Sequence, residues 1–244
     1  MSSILGRVQR VRHELKFRDL RVLRVQTLSP HVCSVTLTGE SLADFLSPSF
    51  DDHVKIFIDT GAEEPVRRDY TPRGFDNAAC ELTLEFALHG DGPAAQWAAQ
   101  AEPGQRLRIA GPRGSFLIPL DYDWHLLVGD ETALPAIARR LEELPDGARA
   151  VAIIQAPDPA DRRALPTAAA LELSWVDDGA AALALLRGMA LPRGEGYVWA
   201  AGEAAEMAEL RRVLVDEKGH DKRAIRAAAY WKRGASAHHE NLES

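Results

Sequence analysis

The segment 67–76, RRDYTPRGFD, places arginine, tyrosine and threonine side chains directly after an apolar run, HVKIFID. In an extended segment, residues two positions apart share a face, so Arg68 and Tyr70 can reach the same side. A guanidinium donates paired hydrogen bonds that suit a phosphate, and a tyrosine ring offers a flat surface for stacking. Thr71 can hydrogen-bond the edge of a ring. This R-x-Y-T-x-R order, which ends at Arg73, fits a nucleotide with a phosphate and a planar heterocycle, or else a solvated charged loop.

A second motif, HGDGPAAQW at residues 89–97, has the composition of a strand-to-helix turn. The start of a helix leaves backbone N–H groups unpaired, which makes it a ready anion site. Gly90 and Gly92 allow a phosphate to approach the backbone closely, and Pro93 suits the first helical position. A turn of this kind is common by itself. Together with the R-x-Y-T-x-R segment, it favours a bound dinucleotide.

The pattern of apolar residues changes character near residue 123. Before it, short β-branched runs such as RVLRVQTLS and CELTLEFALHG predict about six strands and one helix, GPAAQWAAQAEPG. After it, strand-like runs alternate with amphipathic helices, which is typical of a doubly wound, mostly parallel sheet. We therefore predict an N-terminal antiparallel β-barrel over residues 1–122 and a C-terminal α/β domain over residues 123–244.

Composition excludes several classes of protein. The formal net charge of −7 over 244 residues argues against general nucleic-acid binding, and no apolar run approaches the ~20 residues of a membrane span. The basic N-terminus lacks the apolar core of a secretory signal, so we expect a cytoplasmic protein. Cys33 and Cys80 form no CxxC pair, and His238 and His239 lie in a polar tail, so we predict no metal site. Redox chemistry would then need an organic cofactor.

Two turns of the second half each follow a predicted strand, VGDETALPAI at 128–137 and AAGEAAEM at 200–207. Because ligands of open α/β sheets bind at the carboxyl ends of strands, both turns are credible parts of one site. Asp130 and Glu131 resemble a catalytic carboxylate pair, but adjacent residues rarely converge on one atom. We expect them to cap the turn, with Thr132 as the N-cap of the helix.

These segments together resemble the ferredoxin-reductase-type flavoproteins and, within them, the siderophore-interacting protein family of ferric-siderophore reductases. The resemblance covers nearly the whole chain. It is carried by HVKIFI, RRDYTPR, HGDGPAAQWAAQAEPGQRLRIAGPRGSF, LLVGDETALPAIARRLEEL, VWAAGEAAEMAELRRVL and YWKRG. The last three segments favour this family over ordinary flavin reductases.

The resemblance implies that FAD is the cofactor and assigns roles in binding it. Arg68 would bind the pyrophosphate, Tyr70 would stack on the isoalloxazine, Thr71 would hydrogen-bond near flavin N5, and Arg73 would contact the ring edge or a phosphate. Trp97 would pack beneath, and a place in the core is the favoured alternative. The resemblance implies that the remaining cofactor-binding residues, at the pyrophosphate and at the nucleotide-facing turns, are His89, Gly90, Gly92, Pro93, Ala94, Gly129, Asp130, Glu131, Thr132, Ala201, Gly202 and Glu203.

The implied reaction passes electrons from NADPH or NADH through FAD to an Fe(III)-siderophore, releasing Fe(II) in the cytoplasm. Basic residues beside the flavin would attract anionic siderophores; the candidates are Lys55, Arg113, Lys232 and Arg233, each of which is otherwise an ordinary surface charge. Trp231 would pack the C-terminal segment onto the flavin domain or lie in the core. Arg162 and Arg163 narrowly favour NADPH, although Asp158 and Asp161 lie close by in sequence.

Several alternatives stay open at the level of sequence. A general NAD(P)H-dependent flavin or quinone reductase would use the same cofactor sites. A non-catalytic siderophore-binding module would bind no flavin and would not use these cofactor sites. A ferredoxin could replace the nicotinamide nucleotide as electron donor, and we expect a monomer because nothing in the sequence demands more.

Overall fold

The computed structural model describes residues 7–88, 92–234 and 240–241, and the chain forms two compact units. The first unit spans residues 8–118. The second takes the described residues from Pro119 onward together with Arg7, so the division falls slightly before the predicted domain boundary at 122/123. Arg7 groups with the second unit because its guanidinium lies 4.3 Å from the centre of the Tyr122 ring and pairs with Asp121 and Glu195.

The first unit is built on a seven-stranded antiparallel sheet in the order β5-β4-β8-β2-β3-β7-β6, with a separate β1-β9 ribbon. The one α-helix among its described residues is α1, Pro93–Ala99, and a short 3₁₀ turn spans Glu40–Leu42. The strands are β1 Gln9–Arg12, β2 Phe17–Ser29, β3 Val32–Thr38, β4 Val54–Ile58, β5 Val66–Tyr70, β6 Gly74–Asp76, β7 Glu81–Ala87, β8 Arg106–Ala110 and β9 Gly114–Leu117.

Apolar and polar residues alternate along these strands, which gives the curled sheet one apolar inner face. In β7, Leu82, Leu84 and Phe86 are fully buried, and they meet Val54 and Ile56 of β4 in the same cluster. Residues two apart on a strand share a face, so this spacing puts one face of each strand inside. The predicted antiparallel β-barrel is confirmed as a curled half-barrel, on which α1 packs against β3, β4 and β7.

The second unit contains a sheet in the order β12-β11-β10-β13-β14-β15, parallel except for the last pair. Its strands are β10 Trp124–Gly129, β11 Arg149–Gln155, β12 Ala170–Val176, β13 Gly196–Glu203, β14 Ile225–Trp231 and β15 Glu240–Asn241. Its helices are α2 Leu134–Glu143, α3 Gly179–Gly188 and α4 Ala204–Arg212, with a 3₁₀ turn at Pro159–Asp161 and a π-helical turn at Val213–Glu217. Within the described ranges, none of the helices has the length and hydrophobicity that a bilayer span requires.

The helices cover both faces of this sheet, which confirms the predicted doubly wound arrangement. Val128 and Val198 pack with residues of α3 and α4, whereas the backbone of Gly129, one residue further along β10, faces α2. The chain runs from β10 outward through β11 to β12 and then returns to β13 on the other side of β10. The carboxyl ends of β10 and β13 are therefore neighbours, and we call this place the switch point.

A buried histidine makes the stability of the second unit depend on pH. His125 is only 1% exposed, and its Nε2 lies 3.3 Å from the carbonyl oxygen of Leu120. Burial, helped by the positive charge of Arg140, lowers the pKa of His125 from 6.5 to about 4. The unfolded chain therefore takes up the proton first, and stabilisation that is complete above pH 6.5 is lost as the pH falls toward 4.

We expect the free energy of unfolding to drop by about 2 kcal/mol between pH 7 and pH 5 because of this group. Denaturant unfolding of the wild type and of His125→Phe across this range measures the effect. The phenylalanine variant should lack this part of the pH dependence. An equal pH dependence in both proteins would contradict the assignment to His125.

Candidate functional site

The predicted phosphate-binding arginine lies on an edge strand of the half-barrel. Arg68, on β5, is half-buried, and its Nη1 donates to the carbonyl oxygen of Arg67 at 2.8 Å. Within the described residues it has no carboxylate partner, whereas its neighbour Arg67 pairs with Glu64 at 3.4 Å. The positive charge of Arg68 is thus not paired with any carboxylate of the described chain. A phosphate is a suitable acceptor for the hydrogen-bond donors of its guanidinium.

An aromatic row joins the two motifs that the sequence analysis singled out. The Tyr70 ring lies 4.3 Å from the Phe86 ring, centre to centre, and the Trp97 ring lies 5.5 Å from the Phe86 ring. Tyr70 stays half-exposed, and Thr71, the next residue, is buried. Trp97 packs against the core, the alternative that the sequence analysis favoured for it. Phe86 therefore brings the end of β5 and the helix α1 to the same part of the half-barrel.

The start of α1 is open where the sequence analysis predicts an anion. Gly92 is the N-cap residue, with φ −67° and ψ 144°, and it supplies no side-chain cap to the helix. A Cβ built on Gly92 meets no atom of the described chain within 4 Å. Pro93 takes the first helical position, and Ala94 follows. The other two predicted loop residues, His89 and Gly90, lie outside the described residues.

The last arginine of the first motif is held by an ion pair. Arg73 Nε lies 3.2 Å from Glu85 Oε1 on β7, and both side chains are largely buried. The backbone N–H of Arg73 also donates to the carbonyl oxygen of Thr83 at 2.9 Å. These contacts fix the segment after Tyr70 onto β7. A role for Arg73 at the ring edge or a phosphate stays a prediction.

Ionisation is disfavoured around the aromatic row. Burial raises the pKa of Tyr70 above its ordinary value, and the nearby Cys33 acts in the same direction. Burial also raises the pKa of the Cys33 thiol to about 11, and Cys33 Sγ lies 3.9 Å from the carbonyl oxygen of Ala98 in α1. Both groups are neutral at physiological pH. Tyr70 therefore offers an uncharged ring surface beside the cationic Arg68.

The predicted basic residues divide between the two units. In the first unit, Lys55 Nζ pairs with Asp69 Oδ1 at 2.6 Å, and Arg113 is exposed in the loop after Gly111, which lies against the residues just before Lys55. Lys232 and Arg233 are exposed residues of the second unit. Substrate binding by these four residues stays a prediction.

The turn after β10 differs in one respect from the prediction. Asp130 Oδ1 accepts hydrogen bonds from the backbone N–H and the hydroxyl of Thr132, at 2.9 and 2.5 Å. Thr132 is therefore not the N-cap of α2, because its hydroxyl points back to Asp130. Ala133 is the N-cap and provides no side-chain cap. The expectation that Asp130 caps the turn is confirmed.

Glycine is required on both sides of the switch point. A Cβ on Gly129 would lie 2.7 Å from the carbonyl oxygen of Ala201, its register partner on β13. A Cβ on Gly202 would lie 2.8 Å from Asp130 Oδ2. The two predicted turns therefore lie against each other, as expected for one nucleotide-binding edge.

Carboxylates dominate this edge. Asp130 is buried, and burial together with the neighbouring Glu131 raises its pKa to about 6. Burial also raises the pKa of Glu131 above its ordinary value. Glu203 caps α4 by accepting from the N–H groups of Ala205 and Glu206, at 2.7 and 3.1 Å. Burial opposes ionisation of Glu203, but these backbone donors and that of Arg233 hold its pKa below the ordinary value.

The residues of the first unit fit a flavin dinucleotide. A dinucleotide needs a cation for its phosphates, a flat surface for its ring and a close backbone approach. Arg68 supplies the first, Tyr70 the second, and the open start of α1 at Gly92 the third. The structure brings Tyr70, at the end of β5, and Trp97, on α1, against one aromatic residue, Phe86.

Comparison with known proteins decides the family. Two family models match the chain: a siderophore-interacting FAD-binding domain over residues 21–63 and 59–116, and a siderophore-interacting protein model over residues 122–234. The NADPH-dependent ferric-chelate reductase of Escherichia coli strain K12 is 38% identical over 245 residues, which covers 91% of this chain and 96% of that protein. This chain belongs to the siderophore-interacting protein family.

Other members of the siderophore-interacting protein family align over similar lengths. The ferric vibriobactin reductase ViuB of Vibrio cholerae is 30% identical over 251 residues, covering 91% of this chain and 93% of that protein. The crystal structure of a siderophore utilization protein from T. fusca matches with a TM-score of 0.87 and 35% identity, covering 94% and 97% of the two chains. The first unit of this siderophore-interacting protein is thus an FAD-binding domain, with FAD as its cofactor.

Sequence reasoning left Trp231 undecided and missed its main contact. The indole Nε1 of Trp231 donates to Asp130 Oδ2 at 2.7 Å, between residues 101 positions apart in this siderophore-interacting protein. An aromatic residue at the end of an apolar strand gives no sign of such a partner. The only signal in the sequence was that both residues lie at the carboxyl ends of strands predicted to belong to the same parallel sheet.

Proposed function

We propose that this protein is an FAD-dependent ferric-siderophore reductase that passes electrons from NADPH through FAD to Fe(III), which is then released as Fe(II). The observation that carries the proposal is the contact of both Tyr70 and Trp97 with Phe86, which brings the end of β5 and the helix α1 to the same part of the half-barrel. The names of the Escherichia coli and Vibrio cholerae relatives, a ferric-chelate and a ferric vibriobactin reductase, support the substrate class.

The first unit holds and orients the cofactor. Arg68 binds the pyrophosphate through its guanidinium, and the backbone N–H groups at the start of α1, next to Gly92, also bind it. Tyr70 supports the isoalloxazine, and Thr71 hydrogen-bonds its edge. FAD, when bound, accepts two electrons as a hydride and gives them up one at a time, which suits reduction of ferric ions.

The second unit binds the electron donor at the switch point. The turns that contain Gly129–Thr132 and Ala201–Glu203 border the carboxyl ends of β10 and β13, where open α/β sheets bind nucleotides. NADPH is the proposed donor, supported by the name of the Escherichia coli relative. The loop that follows β11 on the same edge contains Arg162, which we assign to the 2′-phosphate.

Arg162 is oriented for this role by its own contacts. Its Nε and Nη2 donate to the carbonyl oxygen of Ala156 at 3.3 and 3.1 Å, and Nη2 also pairs with Asp177. We expect Arg162→Ala to raise the KM for NADPH about tenfold, because a charge-assisted hydrogen bond contributes ~1.5–3 kcal/mol. The KM for NADH, which lacks the 2′-phosphate, should stay near the wild-type value.

Steady-state kinetics with each nucleotide measures the effect of Arg162. Arg149→Ala is the matched control, since Arg149 lies at the opposite end of β11 and pairs with Glu172. Equal increases in KM for NADPH and NADH would contradict the assignment.

The substrate is an anionic, oxygen-liganded ferric complex that basic residues attract. Lys55 and Arg113 of the first unit are the proposed contacts. Lys232 and Arg233 of the second unit are proposed separately, as basic residues that attract the anionic complex. Hard oxygen ligands hold Fe(II) less tightly than Fe(III), so reduction by one electron per iron releases the metal. We propose that the protein acts in the cytoplasm as a monomer.

An anaerobic assay with a ferrous chelator tests the proposed function. FAD-loaded protein is mixed with NADPH and a ferric catecholate siderophore, and the coloured Fe(II) complex is followed together with NADPH oxidation. We expect two Fe(II) for each NADPH and a kcat/KM for the siderophore well above those for free flavin and a quinone. Equal or higher kcat/KM with free flavin or quinone would instead identify a general reductase.

A further inference from the structure

The hydrogen bond between Asp130 and Trp231 spans the carboxyl end of the strand that separates them. Asp130 follows β10, Trp231 is the last residue of β14, and β13 lies between these two strands. The indole Nε1 nonetheless reaches Asp130 Oδ2 at 2.7 Å. The side chain of Trp231 therefore extends over the end of β13 toward the switch point.

Both partners of this bond are held in place. Asp130 uses its other oxygen, Oδ1, for two hydrogen bonds from Thr132, so the carboxylate cannot rotate without losing them. Gly202 leaves room for the bond, since a Cβ there would lie 2.8 Å from Asp130 Oδ2. The chain after the indole is fixed as well, because the backbone N–H of Arg233 donates to Glu203 Oε1 at 3.2 Å.

These contacts give Trp231 a defined place without burying it. The side chain is partly exposed, unlike that of Trp199 on the neighbouring strand, which is fully buried. A core tryptophan would be covered on both faces, whereas a partly exposed indole beside a nucleotide-binding edge retains some surface for a flat ligand. Indole is the aromatic side chain that best attracts electron-poor and cationic rings, and nicotinamide is such a ring.

We propose that Trp231 forms one wall of the nicotinamide subsite and that Asp130 is the positioning residue that fixes the indole there. This inference rests on the proposed function only in taking the nicotinamide nucleotide as the ligand of the second unit. Trp231 contacts the ring, whereas Asp130 acts through Trp231. Replacing tryptophan by phenylalanine keeps a flat ring but removes the Nε1–H donor, so this variant tests the hydrogen bond that fixes the indole.

Trp231→Phe and Asp130→Asn are each expected to raise the KM for NADPH about fivefold, because each variant removes the hydrogen bond that holds the ring in place. The double variant should show the same increase as either single variant, because both remove one shared arrangement. The rate at which dithionite-reduced holoenzyme is reoxidised by the ferric siderophore should not change. Trp175→Phe, on strand β12 of the same unit, is the matched control and should behave as wild type.

A binding measurement makes the test independent of turnover. NADP⁺ should quench the tryptophan fluorescence of the wild-type holoenzyme and of Trp175→Phe, and the quenching should be largely lost in Trp231→Phe. Unchanged KM and quenching in Trp231→Phe, with only a lower Tm, would show that Trp231 has a structural role and overturn the inference. A wild type that shows this quenching without reducing ferric siderophores would contradict the proposed function and support this inference.

Discussion

Replacing Arg68 by alanine is expected to weaken FAD binding about 100-fold, so that the protein purifies without its yellow cofactor. Arg68 is the arginine of β5 whose donors meet no carboxylate in the described chain, and paired charge-assisted hydrogen bonds to a pyrophosphate are worth ~3 kcal/mol. Titration of apoprotein with FAD, followed by the loss of flavin fluorescence, measures the dissociation constant.

Two further variants of β5 sharpen this test. Arg68→Lys keeps the charge but loses the paired geometry, and we expect an intermediate loss of about tenfold. Arg67→Ala is the matched control, because Arg67 is adjacent, points to the other face and pairs with Glu64. Similar losses in Arg67→Ala and Arg68→Ala would show that a general positive charge, and not Arg68 itself, holds the cofactor.

Replacing Gly92 by valine is expected to weaken FAD binding strongly while leaving the fold intact. The backbone at Gly92, with φ −67° and ψ 144°, accommodates any side chain, and a Cβ there meets no described atom within 4 Å. The free chain therefore gains no steric clash. Close approach of a pyrophosphate to the start of α1 requires that same space, so affinity should fall by two orders of magnitude, ~3 kcal/mol.

The Gly92 variant is informative only if stability is measured beside binding. The Tm of the apoprotein should change little in Gly92→Val, as in the control Gly188→Val, another glycine with open space around its Cβ position. FAD affinity should fall in the first variant alone. An apoprotein with normal Tm and normal FAD affinity would place the pyrophosphate away from the start of α1.

The fold class follows from local sequence patterns, namely the alternation of apolar residues and the positions of proline and glycine. Strict alternation in β7, with Leu82, Leu84 and Phe86 inside, predicts a half-buried strand, and the run WHLLVG predicts a strand buried on both faces. Proline and glycine mark the ends of α1 and α2. The fold class needs only such short-range information, which is why that prediction is confirmed. The described residues of the first unit form nine strands, where the sequence predicts about six.

Side-chain partners at the site depend on tertiary contacts that no local pattern contains. Thr132 has the residue type of an N-cap, but its hydroxyl is taken by Asp130, whose own orientation depends on Gly202 and Trp231 of other strands. Similarly, the partner of Arg73 is Glu85 on a strand that follows it in sequence. The types of residue at the site could be predicted, whereas their pairing required the sheet order.

A crystal structure of the FAD complex tests the central claim most directly. We expect pyrophosphate oxygens within hydrogen-bonding distance of the Arg68 guanidinium and of the backbone at Gly92–Ala94, with the isoalloxazine lying against Tyr70. A cofactor bound elsewhere, with Arg68 and the start of α1 both facing solvent, would contradict it.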